Sequence, residues 1–164
     1  MTTEKRSIKA RGEDLRILVV DDDDIVFRAI ERALHKSNIE NPVLRAKDGL
    51  EGLAILRGEI ESHISLPPFV VLLDINMPRM DGIGFLKELR ADPALRPAIV
   101  FVLSTSDAPA DVCAAYNCNV AGYILKDELS ANFMKTITLL DIYSDAVTMP
   151  PIDDIGCQAL ALSN

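Results

Sequence analysis

The chain has no tryptophan, two histidines and three cysteines, and aromatic residues fill only 5% of its 164 positions. Cys113, Cys118 and Cys157 are odd in number and form no Cys-x-x-Cys pair. They read as reduced thiols, which excludes a disulfide framework and, with His35 and His63 far away in sequence, a nitrogen and sulfur metal centre. Positive charge is scarce too. Seventeen Lys and Arg face twenty-five Asp and Glu, a formal charge of -8, so too little basic surface exists to neutralise many phosphates, and nucleic acid is not an expected partner. No stretch reaches the roughly 18 apolar residues of a membrane span. The start, Met1 to Arg6, lacks the apolar core of a signal peptide, so the expected compartment is the cytoplasm.

What is present is an apolar share of 49% in a chain long enough for one globular domain. Four of its acids form one unbroken run, Asp21 to Asp24, directly after the aliphatic Ile17-Leu18-Val19-Val20.

Residues 1–14 are polar and aperiodic and read as a flexible N-terminal tail. Arg16 to Val20 predicts a buried strand whose carboxyl end faces solvent. Val26, Ile30, Ala33 and Leu34 recur at helical spacing. Pro42 to Ala46 is a second strand, and Asp48-Gly49 turns the chain into a helix with Leu50, Leu53 and Ala54 expected on its buried side. Gly58 to Pro68 has no period and reads as a long loop. Phe69 to Leu73 is the strongest strand, closed by Asp74 and the turn-rich Asn76 to Gly82 before a helix carrying Phe85, Leu86 and Leu89. Ala98 to Leu103 is a fourth strand ending at Ser104, and Pro109 suits the first turn of the next helix. Gly122 to Leu125 is a fifth strand ending at Lys126. A last helix follows, with Ser130 as its expected N-cap and Phe133, Ile137 and Leu140 on its apolar side. Pro150-Pro151 breaks the pattern, leaving 15–144 as the domain and 145–164 as a C-terminal extension. Strands alternating with helices imply an α/β doubly wound parallel sheet of five strands with helices on both faces.

In such a sheet, ligands bind at the carboxyl ends of the strands. Those ends carry Asp21 and Asp22, Asp74, Ser104 and Lys126. Three carboxylates in one crevice repel one another unless a hard cation sits among them, and all-oxygen ligation points to Mg2+. The Lys126 ammonium and the Ser104 hydroxyl suit phosphoryl oxygens arriving at that cation. A carboxylate so neutralised can itself accept a phosphoryl group, and Asp74, at the end of the most apolar strand, is the best-held candidate.

These residues resemble the receiver domains of bacterial response regulators. The resemblance runs from about Leu15 to Ser144 and rests on Val19-Val20-Asp21-Asp22, Ala46-Lys47-Asp48-Gly49, Leu73-Asp74-Ile75-Asn76-Met77-Pro78-Arg79-Met80-Asp81-Gly82, Ser104-Thr105 and Gly122-Tyr123-Ile124-Leu125-Lys126, in that order. It implies a flavodoxin-like sheet of strand order 2-1-3-4-5 and a phosphoryl group passed from a histidine kinase to Asp74. It further implies that Asp22, Asp74 and the Asn76 carbonyl bind Mg2+, with Asp21 acting through water, and that Lys126 pairs with the phosphate. Ser104 and Tyr123 would be the switching pair. The chain would then be a phospho-acceptor signalling domain in a two-component phosphorelay rather than an enzyme acting on a separate substrate. One departure is clear: the family usually follows its lysine with a cis proline, whereas Lys126 precedes Asp127, so a trans peptide is expected there. With only about 20 residues after Ser144, no output domain is expected. Lys126 without proline, the Ser104 to Asp107 run and Tyr143 followed by Met149-Pro150 are most similar to single-domain receivers paired with phytochrome-type kinases. A homodimer through the fourth helix, fifth strand and fifth helix, with the apolar extension Met149 to Leu162, is the expected assembly.

Other readings fit less well. Phosphatases of the haloacid dehalogenase type need a second Asp two residues after the first, where this chain has Asn76. A flavin phosphate would be repelled by the Asp-rich first loop. The closest rival is a pseudo-receiver, an interaction module acting without phosphorylation, but such modules normally lack one of Asp74, Asp22 or Lys126. Asp23 and Asp24 need no ligand role, since acids favour a helix start.

Overall fold

The computed structural model describes residues 9–10, 13–60, 69–126 and 129–148. Its main sheet has five parallel strands: β1 (Arg16–Val20), β2 (Val43–Ala46), β3 (Phe69–Leu73), β4 (Ile99–Ser104) and β5 (Gly122–Leu125), in the spatial order β2-β1-β3-β4-β5. Five helices connect and follow them: α1 (Asp24–Lys36), α2 (Gly49–Leu56), α3 (Gly82–Ala91), α4 (Pro109–Asn117) and α5 (Leu129–Ala146). This is the 2-1-3-4-5 doubly wound topology expected from the sequence. Within the N-terminal segment, Lys9–Ala10 pairs antiparallel with Glu13–Asp14 and lies beside α5.

Strand residues alternate between two cores, because successive side chains of a strand point to opposite faces. Leu18, Val20, Val71, Leu73, Val100 and Val102 meet Leu53, Leu56, Phe85, Leu86, Leu89 and Ala115 of α2, α3 and α4. Ile17, Val19, Leu72, Phe101 and Leu103 meet Ile30, Ala33 and Leu34 of α1 and Leu140 of α5. The assignment of Ile30, Ala33, Leu34, Phe85, Leu86 and Leu89 to the core holds in every case.

The expected face of α2 holds for Leu53 but not for Leu50. Leu50 is 48% exposed, whereas Gly49, Gly52, Leu53 and Leu56 form the buried stripe. The glycines decide this: a Cβ on Gly52 would lie 3.0 Å from Phe85 and 3.1 Å from Val20, so α2 sits close to α3 and β1 on its glycine side and turns Leu50 outward. At the other end of the molecule, α5 begins at Leu129, which places Ser130 inside the helix rather than at its cap. Phe133 and Ile137 have side chains outside the described set, as do most of the long loop before β3 and the tail beyond residue 148.

Three helices start on an aspartate whose side chain accepts a backbone N–H: Asp23 from Ile25 (2.7 Å), Asp48 from Glu51 (3.0 Å) and Asp81 from Gly84 (2.7 Å). α4 has no such cap and relies on Pro109 in its first turn. Its far end is tied down by Arg90 of α3, which donates to the carbonyls of Cys118 (2.8 Å) and Asn119 (2.9 Å), as well as to Arg96 (2.5 Å) and Ala98 (2.8 Å) before β4.

Candidate functional site

Strand register brings the acids together. Val20 of β1 pairs with Leu73 of β3, so the two chains leave the sheet side by side. The next residues continue the ladder, with Asp74 N–H donating to the Val20 carbonyl and Asp21 N–H to that of Ala46, both at 2.9 Å. On the other side Ser104 pairs with Leu125, which puts Lys126 one step beyond the sheet. Its Nζ lies 2.8 Å from Asp21 Oδ2 and 3.2 Å from Asp74 Oδ1. Asp22 is exposed on the rim. One carboxylate oxygen from each of Asp21, Asp22 and Asp74 falls within 4.8 Å of the others.

The electrostatics are those of a half-compensated cluster. Asp21 is 1% exposed. Its Oδ1 accepts the Asp23 N–H at 2.9 Å, while the sealed Oδ2 accepts no hydrogen bond of ordinary geometry and has the Lys126 ammonium as counter-charge. Burial pushes the Asp74 carboxyl above its ordinary range; Lys126 and the Asn76 N–H counter this, and Asp21 adds to it. Burial would depress the Lys126 ammonium, but Asp21 and Asp74 outweigh it and hold the group above its usual value. Three carboxylates against one ammonium leave a negative excess, with oxygen donors of the kind a hard divalent cation prefers.

The 74–82 loop wraps this cluster. Gly82 closes it, donating to the Ile75 carbonyl at 2.8 Å. A Cβ on Gly82 would stand 2.3 Å from the Asp74 carbonyl oxygen, so only glycine fits. Within the loop, Asn76 presents its backbone N–H to the Asp74 carboxylate. Ser104, fully buried, accepts the Ser106 N–H on its hydroxyl at 3.1 Å. Ser106 in turn donates its hydroxyl to Asp111 (2.6 Å) and accepts the Tyr123 hydroxyl on its carbonyl (2.8 Å). The site residues named from the sequence lie at a strand end or in the loops that leave those ends, except Tyr123, which sits inside β5. The peptide after Lys126 involves Asp127, outside the described residues; among the described residues every peptide is trans.

Sequence reasoning missed the arginines around the site. Arg45, on β2, donates to the carbonyls of Asp22 (3.0 Å) and Asp21 (3.3 Å), pairs with Asp24, and covers the Phe27 ring at 5.2 Å. Asp23 and Asp24 do start α1, and Asp24 also serves as an anchor for Arg45. Arg79, in the 74–82 loop, pairs with the buried Asp48. Arg45 lies inside β2 and Arg79 inside the Leu73 to Gly82 motif, but neither position announces its partner, which is distant in sequence.

A doubly wound sheet with paired acids ending β1, a buried aspartate ending β3 and a lysine ending β5 defines the receiver class of signalling domain. The chain belongs to the response regulator receiver domain family, whose sequence profile matches residues 17–138. It is similar to the response regulator Rcp1 of Synechocystis, with 32% identity over 135 residues covering 82% of this chain and 92% of that protein. Among solved structures, the Mn2+-bound form of Rcp1 has 31% identity and a TM-score of 0.66, covering 82% of this chain and 98% of the other. The phosphorylated cyanobacterial phytochrome response regulator RcpA has 35% identity and a TM-score of 0.65, covering 79% and 91%. Among the described residues, no helix is long and apolar enough to cross a membrane.

Proposed function

We propose that this chain is a cytoplasmic response regulator that accepts a phosphoryl group on Asp74 from the phosphohistidine of a histidine kinase. The observation that carries this reading is the convergence of Asp21, Asp22, Asp74 and Lys126 at the ends of β1, β3 and β5, within ion-pair and metal-ligand reach of one another. Asp22, Asp74 and the Asn76 carbonyl would hold Mg2+, with Asp21 acting through water; when bound, the ion neutralises charge on the incoming phosphoryl oxygens. An Asp74 carboxylate oxygen forms the new bond to phosphorus as the bond from phosphorus to the imidazole nitrogen breaks, and the nitrogen keeps the electron pair. Lys126, already within 3.2 Å of Asp74, pairs with the phosphoryl group. Ser104 donates its hydroxyl to that group after releasing the Ser106 N–H. Because Ser106 bonds both Asp111 of α4 and Tyr123 of β5, the same movement reaches α4 and changes what that face binds. The domain promotes only its own phosphorylation and slow dephosphorylation.

The likeness to RcpA and Rcp1 supports a phytochrome-type kinase as donor. Exposed Leu139, Ile142 and Val147 on and after α5, and Tyr116 on α4, support a homodimer of the 15–144 domain through the α4-β5-α5 face, with the apolar residues of the 145–164 extension packing on the second subunit. The charge balance leaves nucleic acid and membrane out of the partner set.

Incubation with acetyl phosphate and Mg2+ followed by intact mass measurement tests the central claim. The wild type gains one phosphoryl mass and Asp74→Asn gains none. A wild type left unmodified by acetyl phosphate and by purified histidine kinases, yet still bound to its partner, overturns the reading in favour of a pseudo-receiver. Light scattering of a chain truncated after Ser144 tests the assembly, and an undiminished dimer removes the extension from it.

A further inference from the structure

The ion pair between the buried Asp48 carboxylate and Arg79, whose side chain is 64% exposed, has no part in the chemistry above, yet it joins the start of α2 to the loop that carries Asn76. Asp48 is 2% exposed and spends both oxygens: one caps α2 through the Glu51 N–H at 3.0 Å, the other takes Arg79 Nε at 2.6 Å and also Nη2. Arg79 needs that hold. Its φ is +62°, a left-handed conformation unfavourable for a residue with a Cβ. The Met80 N–H also donates to the Pro78 carbonyl at 2.8 Å across it, the bond of a positive-φ γ-turn, a rare and strained form. A second contact fastens the same turn: Gly49 N–H donates to the Met80 carbonyl at 3.3 Å, and a Cβ on Gly49 would meet the Met80 side chain at 2.7 Å.

The loop is thus held at two points. Gly82 closes one end on Ile75 and Asp74, while the Asp48 and Arg79 pair pins the strained turn at Pro78 to Met80, leaving Asn76 and Met77 between fixed supports. Without the pair, the turn can relax to ordinary backbone and carry the Asn76 carbonyl and N–H with it. Resting on the reading of Asp74 as a metal-assisted phosphoryl acceptor, we propose that Asp48 is a positioning residue for the cation site, acting through Arg79 to set the Asn76 backbone.

Capping α2 is a purely structural task that Asp48 also performs, so the test must separate the two. Asp48→Asn keeps a good cap but weakens the pair. Arg79→Gly removes the guanidinium and relieves the positive φ, which offsets part of the cost of leaving the buried Asp48 carboxylate without its cation, so chemical denaturation run beside the metal titration checks that the variant is folded. Mn2+ alone, followed by the electron paramagnetic resonance signal of the free ion, reads affinity without any phosphoryl donor. Both variants are expected to bind Mn2+ about tenfold more weakly, at the lower end of what partners that orient metal ligands cost. Arg79→Lys, with charge but no fork, should recover part of the loss. Arg79→Gly and Asp48→Asn binding Mn2+ as tightly as a wild type that acetyl phosphate does label would overturn the positioning role and leave Asp48 a helix cap. A wild type that neither binds Mn2+ nor takes up the phosphoryl group overturns the underlying reading instead.

Discussion

The Lys126 ammonium stands nearer to Asp21 (2.8 Å) than to Asp74 (3.2 Å). Its nearer anchor is thus not the proposed phosphoryl acceptor, and on that reading the lysine would stay anchored while Asp74 changes its bonding. Lys126→Met leaves buried carboxylates unpaired, a loss of about 3 kcal/mol. Chemical denaturation without metal should show that loss, and saturating Mg2+ should recover much of it. The raised Lys126 value also has a pH signature. The native state binds that proton more tightly than the unfolded chain, so the wild type should lose stability as pH rises beyond the ordinary lysine value of 10.5, and Lys126→Met should show less of this loss.

Asp74→Asn should make the metal-free protein more stable. Folding raises the Asp74 value, so its ionised form at neutral pH costs folding free energy, a cost that vanishes as pH falls below the ordinary carboxylate range. The amide has no such cost, and Lys126 keeps Asp21. A gain in stability is expected, seen as an increase in the Tm of the metal-free variant over the metal-free wild type. Mg2+ should raise the Tm of the wild type by more than that of the variant.

Gly82→Ala should damage the site from a position that bears no chemistry. The added Cβ would meet backbone atoms, the Asp74 oxygen at 2.3 Å and the Ile75 Cα at 2.7 Å, which cannot yield as a side chain would. A loss of about 3 kcal/mol in denaturation is expected, with slower labelling by acetyl phosphate. Gly84→Ala, whose Cβ would lie 3.1 Å from an Asp81 oxygen, is the milder control.

Arg45→Gln should loosen the first acidic loop. It removes charged donors to the Asp21 and Asp22 carbonyls and the cation over Phe27, worth about 1–2 kcal/mol together. Amide hydrogen exchange at Asp22, Asp23 and Asp24 should accelerate, while exchange in β4 stays unchanged.

How much of this was legible in the sequence follows from the range of each interaction. Aliphatic runs ending in Asp21, Asp74 and Lys126 announce both the sheet and its functional edge, because a parallel sheet forces its strand ends into one plane. The same logic named Ser104. The outward turn of Leu50 was not legible, since an eight-residue helix with glycines at 49 and 52 has its face set by how closely its neighbours approach. Arg45, Arg79 and Arg90 were hidden for a different reason. Each is recognised by backbone carbonyls or by a carboxylate far away in sequence, and neither leaves a local pattern.

The four carbonyls gathered by Arg90 set the mechanics of α4. At one end the chain is clamped at Cys118 and Asn119 by a cation that burial holds below its ordinary value. At the other, it is held by Pro109 in its first turn and by the Ser106 bonds to Ala108, Asp111 and Tyr123. A rod clamped at one end and lightly latched at the other swings rather than slides. On the proposed reading, an event beside Asp74 that trips the latch would be magnified along α4, with the largest excursion expected at Pro109 and the smallest at Cys118.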